Sequence, residues 1–375
     1  MTSTAGGHDL RSALASSSPH AADTMLGHVD AVIAELLADV RSQWRAALAG
    51  AVDDILGDDD LPTRLDGVLR SGGKRLRPLM CHWGYECSGD DSPAGRDAAV
   101  RVGAALELLH AFALIHDDVM DESDTRRGRP SAHHAATLSH RRAGAQGSPE
   151  RYGESMAILL GDLAHTAADA LVAELGPRIR RRWFELQIEL IAGQREDLSG
   201  AATDAGGLAR AQRIARIKSG AYTVTRPLQL GAIAGDAGPA VLDVLERFGH
   251  ELGGVFAARD DILGVWGDPA ETGKPSGDDL RQRKPTTLWV DASARLDRRG
   301  RALLDRVGTP RERPGDVAAL QDAMVSAGVL ERSERTIADG VDRAITVLMQ
   351  SQHLLAPAGV TGLVAMTRSI AWRAS

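Results

Sequence analysis

Two aspartate-rich segments far apart in the chain, HDDVMDESDTRRGRP at His116–Pro130 and RDDILGVWGDPAETGKP at Arg259–Pro275, limit the folds open to this sequence more than any other feature. Each sets paired carboxylates beside cations. In the first, Asp117 and Asp121 are four residues apart, so a helix puts both on one face, and Arg126 and Arg127 follow closely. The second brings Asp260 and Asp261 together with Lys274 and, further on, Lys284. A hard cation such as magnesium takes oxygen ligands from one or two carboxylates and from substrate phosphates rather than from an all-protein cage. Sparse aspartate pairs with nearby lysines and arginines fit that chemistry, carboxylates for metal and cations for phosphate. Two segments serving one site must meet in one cleft, which favours a single large domain over the two or three that 375 residues would ordinarily suggest.

An acidic pair alone says little, because a solvated helix end looks the same. The chain carries its own control: DDILGDDD at Asp53–Asp60 repeats the DDILG string without a Lys or Arg beside it, and reads as a helix end with Gly57 as C-cap and an acidic loop beyond. Asp117 stands in a different context. It follows VGAALELLHAFALIH, an almost wholly apolar run, so its carboxylate emerges from a buried helix where unpaired charge is costly. A bound cation is the natural partner there.

Aromatic residues make up only 3% of the chain, and Ala-rich stretches such as VDAVIAELLADVRSQWRAALAGAVDDIL place apolar residues at helical spacing. Runs of period two are scarce, so the fold class is all-α. A net charge of −7 offers no basic field for nucleic acid. The longest apolar stretch, Val102–Ile115, is interrupted by Glu107 and His110 and falls short of the roughly 20 residues that span a bilayer, so no transmembrane segment is expected. The N-terminal residues lack the apolar core of a signal peptide and are small and polar, which predicts a disordered tail over 1–28 and one domain over 29–375. Cys81 and Cys87 are too few for a disulfide framework and read as packing residues in a reduced cytoplasm.

A third cluster, SGGKRLRP at Ser71–Pro78, places Lys74, Arg75 and Arg77 after two glycines at the expected start of a helix. Helix N-termini with adjacent cations bind anions. The spacing is not that of a Walker loop, since no Ser or Thr follows the lysine.

GGKRLRP, LELLHAFALIHDDVMDESDTRRGRPSAH, GESMAILLGDL, GQREDLSG, IKSGAYTVTRPLQLGA and DDILGVWGDPAETGKPSGDDLRQRKPT, in this order, resemble the motifs of trans-isoprenyl diphosphate synthases, most of all bacterial geranylgeranyl diphosphate synthases. The similarity runs from about Ala31 to the C-terminus. It implies a single-domain bundle of long antiparallel helices around a deep central cavity, usually paired as a homodimer. It implies that Asp117, Asp118 and Asp121 hold two magnesium ions, and that Asp260, supported by Asp261, holds a third. Arg126, Lys218, Ser219, Lys274 and Lys284 would grip the allylic diphosphate, with Gln194 and Asp197 supporting that shell. Lys74, Arg77, His110 and Arg127 would bind isopentenyl diphosphate.

Some positions depart from the family pattern. Gly264 stands where the second motif usually has a third Asp, Ser219 replaces the more common Thr, and Ala257 replaces a Gln that contacts the allylic diphosphate. Before Asp117, the fifth place is Phe112 and the fourth Ala113, a pattern resembling synthases with a twenty-carbon product. A class I terpene cyclase would usually carry an Asn/Ser/Glu second motif, and this chain contains no asparagine. A silent partner subunit often loses one Asp motif, whereas here the first is intact and the second nearly so.

Overall fold

The computed structural model describes residues 19–49, 57–203, 207–269 and 275–373. Among these the only sheet is a two-stranded hairpin, and helices form the rest of the architecture, as the missing period-two pattern predicts. Helix α1 (Pro19–Ala47) starts well before the boundary drawn at residue 29. Ala22 and Met25 are already buried, and Gly103 of the core leaves room for Met25 and Val29. Apolar contact thus orders a stretch whose composition looked like tail. Residues 1–18 lie outside the described residues, as do residues 53–56 of the control string. Two of its acids are engaged locally: Asp60 caps α2 (Leu61–Arg70) and accepts from the Trp44 indole, and Asp59 pairs with Arg64.

Helix α3 (Leu76–Ser88) leads to α4 (Pro93–Met120), which opens on a Ser92 cap with proline in its first turn. Every residue of α4 from Val102 to Leu109 is buried, the expected fate of a helix that is apolar all round. Burial of each leucine there contributes about 1.5–3 kcal/mol. Around it pack α1, α2, α6 (Pro149–Ala173) and α7 (Pro177–Thr203), after α5 (Ala132–Ala143) has folded against α6. By length and composition both α4 and α6 could cross a membrane, contrary to the expectation from the interrupted run; within the protein, 67% of the most apolar stretch of α4 and 44% of that of α6 is buried.

The second core region joins α3 to α9 (Arg226–Ala234), α10 (Pro239–Trp266) and the C-terminal helices α15 (Val329–Gln350) and α16 (Pro357–Ala371). Helices α3 and α9 cross so closely that a Cβ at Gly231 would lie 1.8 Å from the Cys81 carbonyl oxygen. Cys81 and Cys87 are free and buried. Upstream of α9, α8 (Leu208–Ile214) passes through a π-helical stretch, Ala215–Thr225, that packs on α10. Such wide turns are rare and gather at functional sites; this one carries Lys218.

Candidate active site

Asp117 lies in the last turn of α4 and Asp121 caps it, its N–H donating to the Asp117 carbonyl. Carboxylates at a helix C-terminus face the negative end of the dipole and need cations. Lys218 supplies one, its Nζ 3.1 Å from Asp117 Oδ1 and 2.6 Å from Asp197 Oδ2. Gln194 donates to the same Asp117 oxygen at 3.0 Å, and Lys284 Nζ stands 3.3 Å from Asp121 Oδ2. Four motifs from α4, α7, the π-helical stretch and the segment after α11 (Asp278–Arg281) therefore meet at one point. Burial alone would raise the Asp117 pKa, yet Lys218, Lys284 and Arg126 hold it below the usual carboxylate range. Burial likewise works against charge on Lys284, but Asp279, Asp121, Asp117 and Asp197 push its pKa up.

Asp118 departs from its sequence assignment. It is buried, and Arg126 Nε donates to Oδ1 at 2.9 Å and Oδ2 at 3.0 Å while Nη2 also reaches Oδ1. Asp118 therefore anchors Arg126 instead of standing with Asp117 and Asp121; helical spacing puts adjacent residues on different faces. The anchor is built by a hairpin, β1 (Thr125–Arg126) and β2 (Arg129–Pro130), whose turn residues Arg127 and Gly128 have φ of 53° and 70°. Two positive φ angles in a two-residue loop match the twist of a tight hairpin. The turn sends Arg126 back to Asp118 and Arg127 across to Ser71, whose Oγ is 3.3 Å from Nη1. The guanidinium lies close over Gly73, where a Cβ would stand 3.0 Å from Arg127 Nη2.

The second aspartate pair ends α10. Asp261 accepts from Thr287 Oγ1 at 2.9 Å, in α12 (Thr287–Arg295), and burial pushes its pKa up to about 7, with Asp279 and Asp260 adding to the rise. Asp260 is more open and takes the guanidinium of Arg373 at 2.8 Å. Gly264 has a steric reason: a Cβ there would lie 1.9 Å from Asp279 Oδ2.

Opposite the carboxylates lies a crowd of cations. Arg77 donates to Thr223 Oγ1 at 3.0 Å and stacks over the Tyr222 ring at 4.2 Å, and its Nε is buried without a partner. His110 Nδ1 is buried and unpartnered too; burial, then Arg77, Arg127 and Arg126, hold the imidazole neutral, well below its ordinary value. Burial and Arg373 lower Lys74 to about 8, with Asp260 opposing and Arg127 adding to the fall. The unpaired buried donor of Arg77 and the unpaired imidazole nitrogen of His110, beside mutually repelling cations, suit a polyanionic ligand. Arg75 is excluded from that set by its pairs with Glu107, at 2.8 Å, and Asp30. Arg373 is the residue that motif reading missed: it stands alone near the C-terminus, and only its buried position beside Lys74 and Asp260 reveals it.

Lys274 and the Ser219 side chain lie outside the described residues. Ala257 is 5% exposed. Phe112 and Ala113 are half-buried one turn before His116 and Asp117. Among the described residues no three His, Cys, Asp or Glu side chains converge as a complete metal cage. Carboxylate pairs at Asp117/Asp121 and Asp260/Asp261 fit magnesium, which takes the rest of its ligands from water and substrate phosphate.

A family model described as Polyprenyl synthetase matches residues 59–324. The geranylfarnesyl diphosphate synthase of Aeropyrum pernix is 33% identical over 76% of this chain and 87% of its own length. The geranylgeranyl diphosphate synthase of Mycobacterium tuberculosis is 37% identical over 59% of each chain. A solved geranylgeranyl pyrophosphate synthase from Corynebacterium glutamicum, complexed with isoprenyl diphosphate and magnesium, superposes with a TM-score of 0.81 at 31% identity, covering 92% of this chain and 98% of its own.

Proposed function

The chain belongs to the polyprenyl synthetase family and is an isoprenyl diphosphate synthase, and from that premise we propose that it condenses isopentenyl diphosphate with an allylic diphosphate to give geranylgeranyl diphosphate. The observation that carries the reading is Lys218 Nζ bridging Asp117 and Asp197 while Gln194 holds the same Asp117 oxygen. Three separate motifs build that contact, and the unpaired polar nitrogens of Arg77 and His110 mark a second anion site.

Magnesium, when bound to Asp117, Asp121 and Asp260 with Asp261 in support, stabilises the negative charge that develops on the leaving diphosphate. Lys218, Lys284 and Arg126, with Ser219 and Lys274, grip the allylic diphosphate and meet that charge with preplaced cations. Lys74, Arg77, His110, Arg127 and Arg373 hold isopentenyl diphosphate so that its double bond lies against the allylic carbon, a proximity effect. The allylic C–O bond breaks with its electron pair leaving on the diphosphate. The isopentenyl double bond forms the new C–C bond, and a proton is then lost to the departed diphosphate.

A twenty-carbon product is supported by Phe112 and Ala113, which would form the floor beneath Asp117. A homodimer is supported by Phe184, Ile188 and Ile191, exposed at helical spacing along α7, and the two buried free thiols, Cys81 and Cys87, fit a reducing cytoplasm. Incubating the purified protein with isopentenyl diphosphate, magnesium and allylic diphosphates of increasing length, then measuring product length, tests the proposal. A farnesyl or longer-chain product corrects the length assignment, and no condensation at all overturns the activity.

A further inference from the structure

The ring of Phe112 is held from two sides. His116, one turn on in α4, meets it edge-on with centroids 4.7 Å apart, and His165 of α6 does the same at 4.8 Å. Helix α6 comes close enough for this because Gly161 has no side chain: a Cβ there would lie 2.1 Å from His116 Nε2. The His116 ring is further tied to the Ile158 carbonyl at 3.0 Å. Three rings thus form a continuous wall from α4 to α6.

His165 is itself fixed from behind by α7. Gln187 Nε2 donates to His165 Nε2 at 3.1 Å and to Asp169 Oδ1 at 2.6 Å. Accepting at Nε2 leaves the imidazole proton on Nδ1, which faces Asp169 Oδ2 at 3.6 Å. The Trp183 indole closes the network by donating to Asp169 Oδ1 at 2.7 Å. Such a network is more than packing requires, because an aliphatic side chain at 165 would fill the same space without needing partners. Its effect is to deny the His165 ring, and so the Phe112 ring, an alternative rotamer.

We propose that His165 is a specificity-determining residue for product length, acting as the rigid backstop that keeps Phe112 across the path of the growing prenyl tail. This rests on the reading of Phe112 and Ala113 as the floor beneath Asp117. A tail that lengthens past Ala113 meets the Phe112 ring and could pass only if that ring turned aside. His165 and its Gln187 hydrogen bond oppose the turn. Replacing Phe112 removes the barrier; replacing His165 releases it.

The test is the product distribution of the full-length enzyme, read by chain length, for His165→Ala, His165→Phe, Gln187→Leu and Phe112→Ala. His165→Ala is expected to shift the main product upward by at least one five-carbon unit, and His165→Phe to hold the original length. Gln187→Leu, which leaves the ring but removes its donor, should add a fraction of the longer product, and it serves in place of His165→Ala should that variant fail to fold. Loss of stability alone does not move chain length. If Phe112→Ala lengthens the product while the His165 and Gln187 variants do not, the backstop is overturned and the floor reading stands. If none of the four alters the distribution, the floor reading falls and the backstop falls with it.

Discussion

The guanidinium of Arg373 donates to Oδ1 of Asp260 over 2.8 Å, joining the C-terminal end of the described chain to the second aspartate pair. Arg373 lies over the Phe256 ring at 4.5 Å, and its Nε is buried with no partner. The carbonyl of Ala371, just before it, accepts from Arg259 Nε at 2.6 Å, and Arg259 is forked onto Glu334. Arg373 is therefore clamped where it can serve both aspartate and diphosphate.

Arg373→Ala should raise KM for isopentenyl diphosphate roughly ten- to a hundredfold, the equivalent of about 1.5–3 kcal/mol for a hydrogen bond to a charged group. The allylic KM should change less. Steady-state kinetics with each substrate varied in turn provide the check, and equal rises in both constants would place Arg373 outside the isopentenyl site.

Lys74 sets a pH limit. Burial and its cationic neighbours lower it from 10.5 to about 8, so in the free enzyme it is charged below that pH and loses its charge above it. The ratio kcat/KM reports groups of the free enzyme. For isopentenyl diphosphate it should fall as pH rises through about 8, and Lys74→Arg, which stays charged, should remove the fall. A native profile that stays flat until lysines of ordinary pKa titrate, near about 10.4, would mean that Lys74 is not the titrating group.

The meeting of Lys218, Gln194 and Asp117 was legible from the sequence because each belongs to a motif whose order could be read. All-α character followed from helical periodicity for the same reason. Arg373 was not legible: one arginine in IAWRAS has no spacing partner, and its role comes from the fold bringing the chain end back to α10. The Asp118–Arg126 pair was hidden because two adjacent aspartates look equivalent in one dimension while a helix turns them apart. The start of α1 was misplaced because composition cannot show that Met25 and Val29 find a groove over Gly103.

Asp117→Ala should cut turnover by about two orders of magnitude or more, the scale set by removing one preplaced group at a developing charge. Folding should survive, since Lys218 keeps its 2.6 Å partner Asp197. Asp53→Ala, in the string with no adjacent cations, should leave turnover near the native value. Turnover and thermal unfolding measured on both variants separate the cases; similar losses in the two would remove the distinction drawn between the segments.

Restoring a third aspartate to the second motif should do harm. A Cβ at Gly264 would sit 1.9 Å from Asp279 Oδ2, and the added carboxylate would repel both Asp279 and Asp261. Gly264→Asp is therefore expected to lower turnover and melting temperature together. Pairing it with Asp279→Gly removes the collision and should recover part of both. A single Gly264→Asp variant more active than the native protein would contradict the steric reading.

Ala257→Gln is the substitution on which sequence and structure disagree. From the sequence alone, the family's usual glutamine should regain a contact to the allylic diphosphate and lower its KM. In the structure Ala257 is 5% exposed. It lies one helical turn from Gly253, where a Cβ would come within 2.8 Å of the Gly220 Cα, so α10 and the π-helical stretch are pressed together along this face. A glutamine forces extra atoms into that contact, and overpacking costs about 1–3 kcal/mol. Its amide would also need partners that the buried position must supply. Ala257→Gln should accordingly lower the melting temperature by a few degrees and leave the allylic KM unchanged or raised. Thermal unfolding and allylic kinetics on the same preparation decide the matter: a lower KM with unchanged melting would mean that the face opens toward the diphosphate and has room for the longer side chain.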